Sequence, residues 1–107
     1  GKALAMEMVL NNRTITAQEA WQFGLVNRVV PVADYLNEAL KLAEEVAGRA
    51  PMAIYTAKKM IDQSFERFLN DAIEEERHEF YSLFATEDQK EGMQAFIEKR
   101  KANWTGK

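Results

Sequence analysis

Residues 83 to 104 read "LFATEDQKEGMQAFIEKRKANW", from Leu83 to Trp104, and this stretch sets the fold class. Thr86 followed three places later by Gln89 has the spacing of a capping box, which satisfies the first free N–H groups of a helix. Met93, Phe96 and Ile97 recur at helical spacing and give that helix an apolar face. Glu87 and Asp88 stand in its first turn, and Lys99, Arg100 and Lys101 at its end, so both charge groups complement the helix dipole. Gly92 is the discordant residue. Inside a helix it costs about 1 kcal/mol relative to alanine, which signals that some group approaches the backbone closely there. The stretch is therefore an amphipathic helix with a basic, aromatic tail. Two readings of its Lys/Arg cluster stand side by side: compensation of the dipole, or a seat for an anion.

Upstream, Asn70 is the candidate cap of a long helix carrying Ile73, Phe80, Leu83 and Phe84 on one side. Before it, Pro51 suits the first turn of a helix striped by Ile54, Ala57, Ile61, Ser64 and Phe65. From Asp34, the residues Leu36, Ala39, Leu40, Ala43, Val46 and Ala47 keep helical spacing until Gly48 stops them. The segment "LVNRVVP", Leu25 to Pro31, is β-branched, short and closed by proline, so an extended conformation is expected. In "TITAQEAWQFG", Thr16 and Glu19 form another capping box and Gly24 is placed to end the helix. The opening "GKALAMEMVL" has only Lys2 and Glu7 as polar residues. A helix apolar nearly all round has to be covered on several sides.

These patterns define a mainly α chain of about six helices, with one short extended segment near residues 25–30. That segment lacks a partner strand, and a lone strand leaves its backbone groups unpaired. Together with the start at Gly1, these features lead to the expectation that the chain is a piece of a larger protein. At 107 residues it is one domain at most, able to bury roughly 65% of its unfolded surface. A formal net charge of −3 argues against a nucleic-acid partner, which calls for a basic face. The absence of cysteine removes disulfides and thiolate chemistry together. No apolar run approaches the roughly 20 residues of a membrane span.

Chemistry is sparse. His78 is the one histidine, with no second ligand at a metal spacing and no nucleophile arranged around it. Glu75 and Glu79 share a helix face, read as a solvated acidic surface. Lys58, Lys59 and Arg67 are read as solvated as well. No phosphate-binding glycine loop occurs. What remains is Phe80, a ring one helix before the basic end. A ring with cations beside it suits a nucleotide, base against ring and phosphate against ammonium.

The strings "GKALAMEMVL", "TITAQEAWQFGLVNRVVP" and "HEFYSLFATEDQKEGMQAFIEKRKANW", in this order, resemble the C-terminal part of enoyl-CoA hydratases of the crotonase superfamily. The resemblance covers essentially the whole chain. It implies a parent with an N-terminal spiral of ββα repeats, α/β in class, followed by a helical region that forms trimers or dimers of trimers. In that reading residues 1–31 are connecting helices and an extended segment turned toward the spiral. Residues 34–107 form the helical oligomerisation and CoA-covering part, and the whole is a single helical region.

The implied activity is addition of water across the 2,3 double bond of an enoyl-CoA thioester. Two backbone N–H groups hold the developing enolate, and two glutamates handle the water. All of these match positions upstream of Gly1, so no catalytic residue is assigned here. Acyl-CoA is then the substrate, and no separate cofactor or metal is expected. The substrate-binding residues that the resemblance carries over are Phe80 and Lys99, at the adenosine and phosphate end of CoA bound in a neighbouring subunit. Arg100 and Lys101 are read as solvated, and Trp104 as an anchor for the tail. The implied location is cytoplasmic, or the mitochondrial matrix in a eukaryote, with no membrane and no nucleic acid involved. An enoyl-CoA isomerase or another enzyme of the superfamily stands as the alternative. So does a non-enzymatic helical module that oligomerises through its apolar faces.

Overall fold

The computed structural model describes every residue, Gly1 to Lys107, and contains six α-helices and no strand. In chain order they are α1 (Lys2–Leu10), α2 (Ala17–Gln22), α3 (Tyr35–Ala47), α4 (Pro51–Gln63), α5 (Leu69–Leu83) and α6 (Glu87–Glu98). The segment Leu25–Pro31 runs as irregular chain, neither helical nor paired. The chain divides into two units, Gly1–Ala39 and Leu40–Lys107.

In the first unit local chemistry accounts for the turns. The Thr16 hydroxyl accepts from the Glu19 N–H while the Glu19 carboxylate accepts from the Thr16 N–H at 2.8 Å, closing the expected capping box. Gly24 adopts φ +73°, a left-handed conformation that glycine takes without steric cost, and the chain then doubles back. The N–H groups of Leu25 and Val26 both donate to the Ala20 carbonyl, at 2.8 and 3.3 Å. Arg13 bridges α1 to α2 by donating to Glu7 at 2.8 Å and to Glu19 at 3.0 Å. Helix α1 buries none of its residues.

In the second unit α4 and α5 lie side by side. Pro51 occupies the first turn of α4, where its missing N–H costs nothing. Lys59 on α4 reaches Glu79 on α5 at 2.6 Å. Arg67, just before α5, reaches Glu75 at 3.0 Å, and Lys58 pairs with Asp62. Lys58 and Arg67 are exposed, as expected of solvated helix faces, whereas Lys59 is half-buried against its partner, contrary to that expectation. Sequence spacing within one helix cannot reveal a partner 20 residues away. The cap of α5 also differs from expectation. Phe68 takes the N-cap conformation, with no side chain capping the helix, and Asn70 lies inside it.

The end of the chain folds back as a strap, and here Gly92 finds its explanation. Trp104 lies on it: a Cβ at position 92 would stand 3.1 Å from one ring carbon and 3.3 Å from another. The indole N–H donates to the Gly48 carbonyl at 2.9 Å. Trp104 therefore anchors the tail, as its composition suggested. Gly92→Ala gains about 1 kcal/mol of helix propensity but pushes that ring away. The expected result is no net stabilisation in the intact sequence. In a Trp104→Ala background the same change should stabilise by about 1 kcal/mol, measured as a double-mutant cycle in denaturant. Equal stabilisation in both backgrounds would show that the ring is not what the glycine makes room for.

Only two apolar residues are buried, Ala20 and Ala95. Val9, Leu10, Val32, Phe65, Phe68 and Phe96 are each at least 79% exposed. Isolated exposed apolar side chains are ordinary on a soluble protein. Large ones in this number mark surfaces made to be covered.

Candidate functional site

Helix α5 presents Phe80 at the centre of an aromatic run. Its ring meets Phe84 edge to face, with centroids 5.3 Å apart, and stands 6.0 Å from Tyr81. Phe80 is 57% exposed. It forms part of the wall of two open depressions. The larger, about 510 Å³, lies between α4 and α5 and includes Ala57, Met60, Ile73, Glu76 and Arg77. The second, about 360 Å³, is almost wholly apolar and is walled by Met52, Phe84, Met93 and Trp104. An apolar hollow with few polar groups is the usual make-up of a small-molecule site.

Lys99 sits elsewhere, at the C-cap of α6, and lines neither depression. Its backbone is left-handed, φ 53° and ψ 38°, a conformation costing a residue with a Cβ about 1–2 kcal/mol. The turn is closed by its own N–H on Phe96 and by the Arg100 N–H on Ala95. Lys99 is exposed, and its ammonium has no carboxylate partner. No contact joins it to Phe80, so the two expected ligand residues enter as separate points.

Arg100 is a different matter from the solvated residue expected of it. Its guanidinium grips Glu91 with two hydrogen bonds, at 2.6 and 2.9 Å, and Glu98 with a third at 2.6 Å. The planar fork of arginine suits such a bidentate grip. Glu91 also accepts the Asn103 N–H at 2.7 Å. Arg100, followed by the Asn103 N–H, holds the Glu91 carboxyl down at about 2. Of the three basic residues, then, Arg100 is spent on structure, while Lys99 and Lys101 form no ion pair.

Asp88 escaped the sequence reading, where it served only the helix dipole. It is the one buried charged residue. One oxygen accepts the Thr105 N–H at 2.7 Å and the Thr105 hydroxyl at 3.1 Å, and the other accepts the Gly106 N–H at 2.9 Å. The Thr105 N–H, foremost among these donors, keeps its carboxyl below the usual aspartate range against the opposing effect of burial. The Lys107 carbonyl in turn accepts the first N–H groups of α6, from Glu87 and Asp88. Thr86 does accept from the Gln89 N–H, but the return half of the expected box is not formed, because the Thr86 N–H donates to the Leu83 carbonyl at 3.1 Å.

The half-open ring of Phe80 and the apolar hollows beside it lie apart from the unpaired Lys99 ammonium, which borders neither hollow. The family model of enoyl-CoA hydratase/isomerase matches residues 1–107, and the chain belongs to that family, within the crotonase superfamily. It is 47% identical over 107 residues to a probable mitochondrial enoyl-CoA hydratase of Dictyostelium discoideum, covering 39% of that protein. It is 44% identical over 107 residues to the 2,3-dehydroadipyl-CoA hydratase of Escherichia coli, covering 42% of it. An enoyl-CoA hydratase subunit I from Geobacillus kaustophilus superposes with a TM-score of 0.91 at 40% identity, over 98% of this chain and 41% of that one. The chain thus spans about two-fifths of the length of the relatives it matches. No helix is long and apolar enough to cross a membrane.

Proposed function

We propose that this chain is the helical C-terminal region of an enzyme that adds water to the 2,3 double bond of enoyl-CoA thioesters. Here it supplies contacts to CoA and surfaces for assembly, and the groups that perform the chemistry lie in the rest of the protein. The observation that carries this reading is the family match along the whole chain, at 44–47% identity to named hydratases. Residues 1–31 lean on the ββα spiral, and residues 34–107 cover CoA and join copies into a trimer or a dimer of trimers. The exposed apolar side chains of both units support this, since each needs a neighbour. The enzyme works in the cytoplasm or, in a eukaryote, in the mitochondrial matrix.

Within the site, Phe80 offers an aromatic face to the adenine ring and Lys99 an ammonium to a phosphate. Acyl-CoA is the substrate, and the reaction needs no further cofactor. Both contacts are remote from the reacting carbons, which makes them contributors to binding more than to catalysis. In the whole enzyme, Lys99→Ala should raise KM for crotonyl-CoA about tenfold, the worth of one charge-assisted hydrogen bond, and leave kcat within about twofold. An unchanged KM would remove Lys99 from the site. The family description also covers isomerases. Assaying 3-enoyl-CoA alongside 2-enoyl-CoA distinguishes double-bond migration from hydration.

A further inference from the structure

We propose that Glu91 is the positioning residue for Lys99: through its grip on Arg100 it locks the left-handed turn that presents the lysine. This rests on the reading of Lys99 as a CoA contact. A residue other than glycine holds a left-handed C-cap only where its surroundings compensate the steric cost. Those surroundings are on hand. Arg100, the next residue, is fixed on Glu91 by two hydrogen bonds and on Glu98 by one. Glu91 also takes the Asn103 N–H, so the chain is pinned on both sides of Lys101. The adjacent N–H of Arg100 closes the turn on Ala95.

The arrangement also separates charges of one sign. Three basic residues in a row would place a carboxylate within reach of any of them. Glu91 and Glu98 are both committed to Arg100, and the Lys99 ammonium is left without a carboxylate. The pair therefore fixes the lysine's backbone and keeps its charge available for an anion.

The test uses the whole enzyme with two substrates, crotonyl-CoA and crotonyl-pantetheine, which lacks the nucleotide and its phosphates. Glu91→Gln should raise KM for crotonyl-CoA several-fold, with kcat unchanged and KM for crotonyl-pantetheine unmoved. Arg100→Gln, which breaks the same pair from its other side, should do the same. In a Lys99→Ala background neither change should add a further loss. A general loosening of the fold would instead raise KM for both substrates and persist in that background, and either result overturns the proposal. So does a normal KM for Glu91→Gln beside a raised KM for Lys99→Ala. If Lys99→Ala itself binds crotonyl-CoA normally, the reading of the lysine fails first, and the role of Glu91 falls with it.

Discussion

Given crotonyl-CoA, the 107 residues by themselves should leave the conjugated thioester absorbance unchanged over hours, whereas the whole enzyme we propose should consume it. The gap is the full catalytic enhancement, at least about a millionfold for a typical enzyme. The reason is that, in the function proposed, the groups performing the chemistry lie in the rest of the protein. Hydration needs acid–base groups whose affinity for protons lies near the working pH. Here Glu19, Glu79, Asp88, Glu91 and Glu98 are all pushed the other way, toward the ionised, weakly basic form. Glu19 is held down by the Thr16 N–H, Glu79 by Lys59, Asp88 by the Thr105 N–H, Glu91 by Arg100 and Glu98 by Gln94. His78 is exposed on α5 and lines neither depression. Turnover by the isolated chain at a rate resembling that of the enzyme would show that a catalytic centre does reside in these helices.

The same carboxylates mark where sequence reasoning succeeds and where it stops. Thr16 with Glu19, Gly48 and Pro51 act over three or four residues, and each was legible because its partner is a backbone group of the adjacent turn. Phe80 was legible as a ring on a helical stripe, and its half-open setting could not be told from spacing alone. The strap was not legible. Arg100 meets Glu91 nine residues back, Thr105 meets Asp88 seventeen back, and Trp104 meets Gly48 across 56 residues. Periodicity carries no information about such closures. Gly92 was the one local clue, because an unexplained helical glycine implies a neighbour without naming it. The shape of the missing information is physical: once a chain reverses direction, pairing depends on where the reversal points, and that is set by turns such as the one at Lys99.

The strap gives the second large effect. Asp88→Ala should free residues 105–107 from α6. The buried carboxylate receives two backbone N–H groups and a hydroxyl, and no other acceptor replaces it. Hydrogen-exchange protection of the Thr105 and Gly106 amides should fall on the order of a hundredfold, as two charge-assisted hydrogen bonds are lost together. Asp88→Asn retains the outline of the side chain but turns an NH2 group toward one of these donors. It should therefore release the strap nearly as fully, which separates the effect of charge from that of volume.

Acid should reproduce the release in the unmodified sequence. A carboxyl depressed in the folded state contributes stability that is present above its unfolded value and is lost as pH falls through its folded value. For Glu91 that window runs from 4.5 down to about 2, and Asp88 is displaced in the same direction. The chain has two tryptophans, so Trp21→Phe leaves Trp104 as the sole reporter. Its emission should move toward that of a solvated indole as pH drops through this window, and should already be shifted at neutral pH in Asp88→Asn. A Trp104 signal that stays constant to pH 2 in the first case, or unshifted in the second, would mean that contacts of the ring with Gly92 and Gly48 suffice to hold the strap without the two carboxylates.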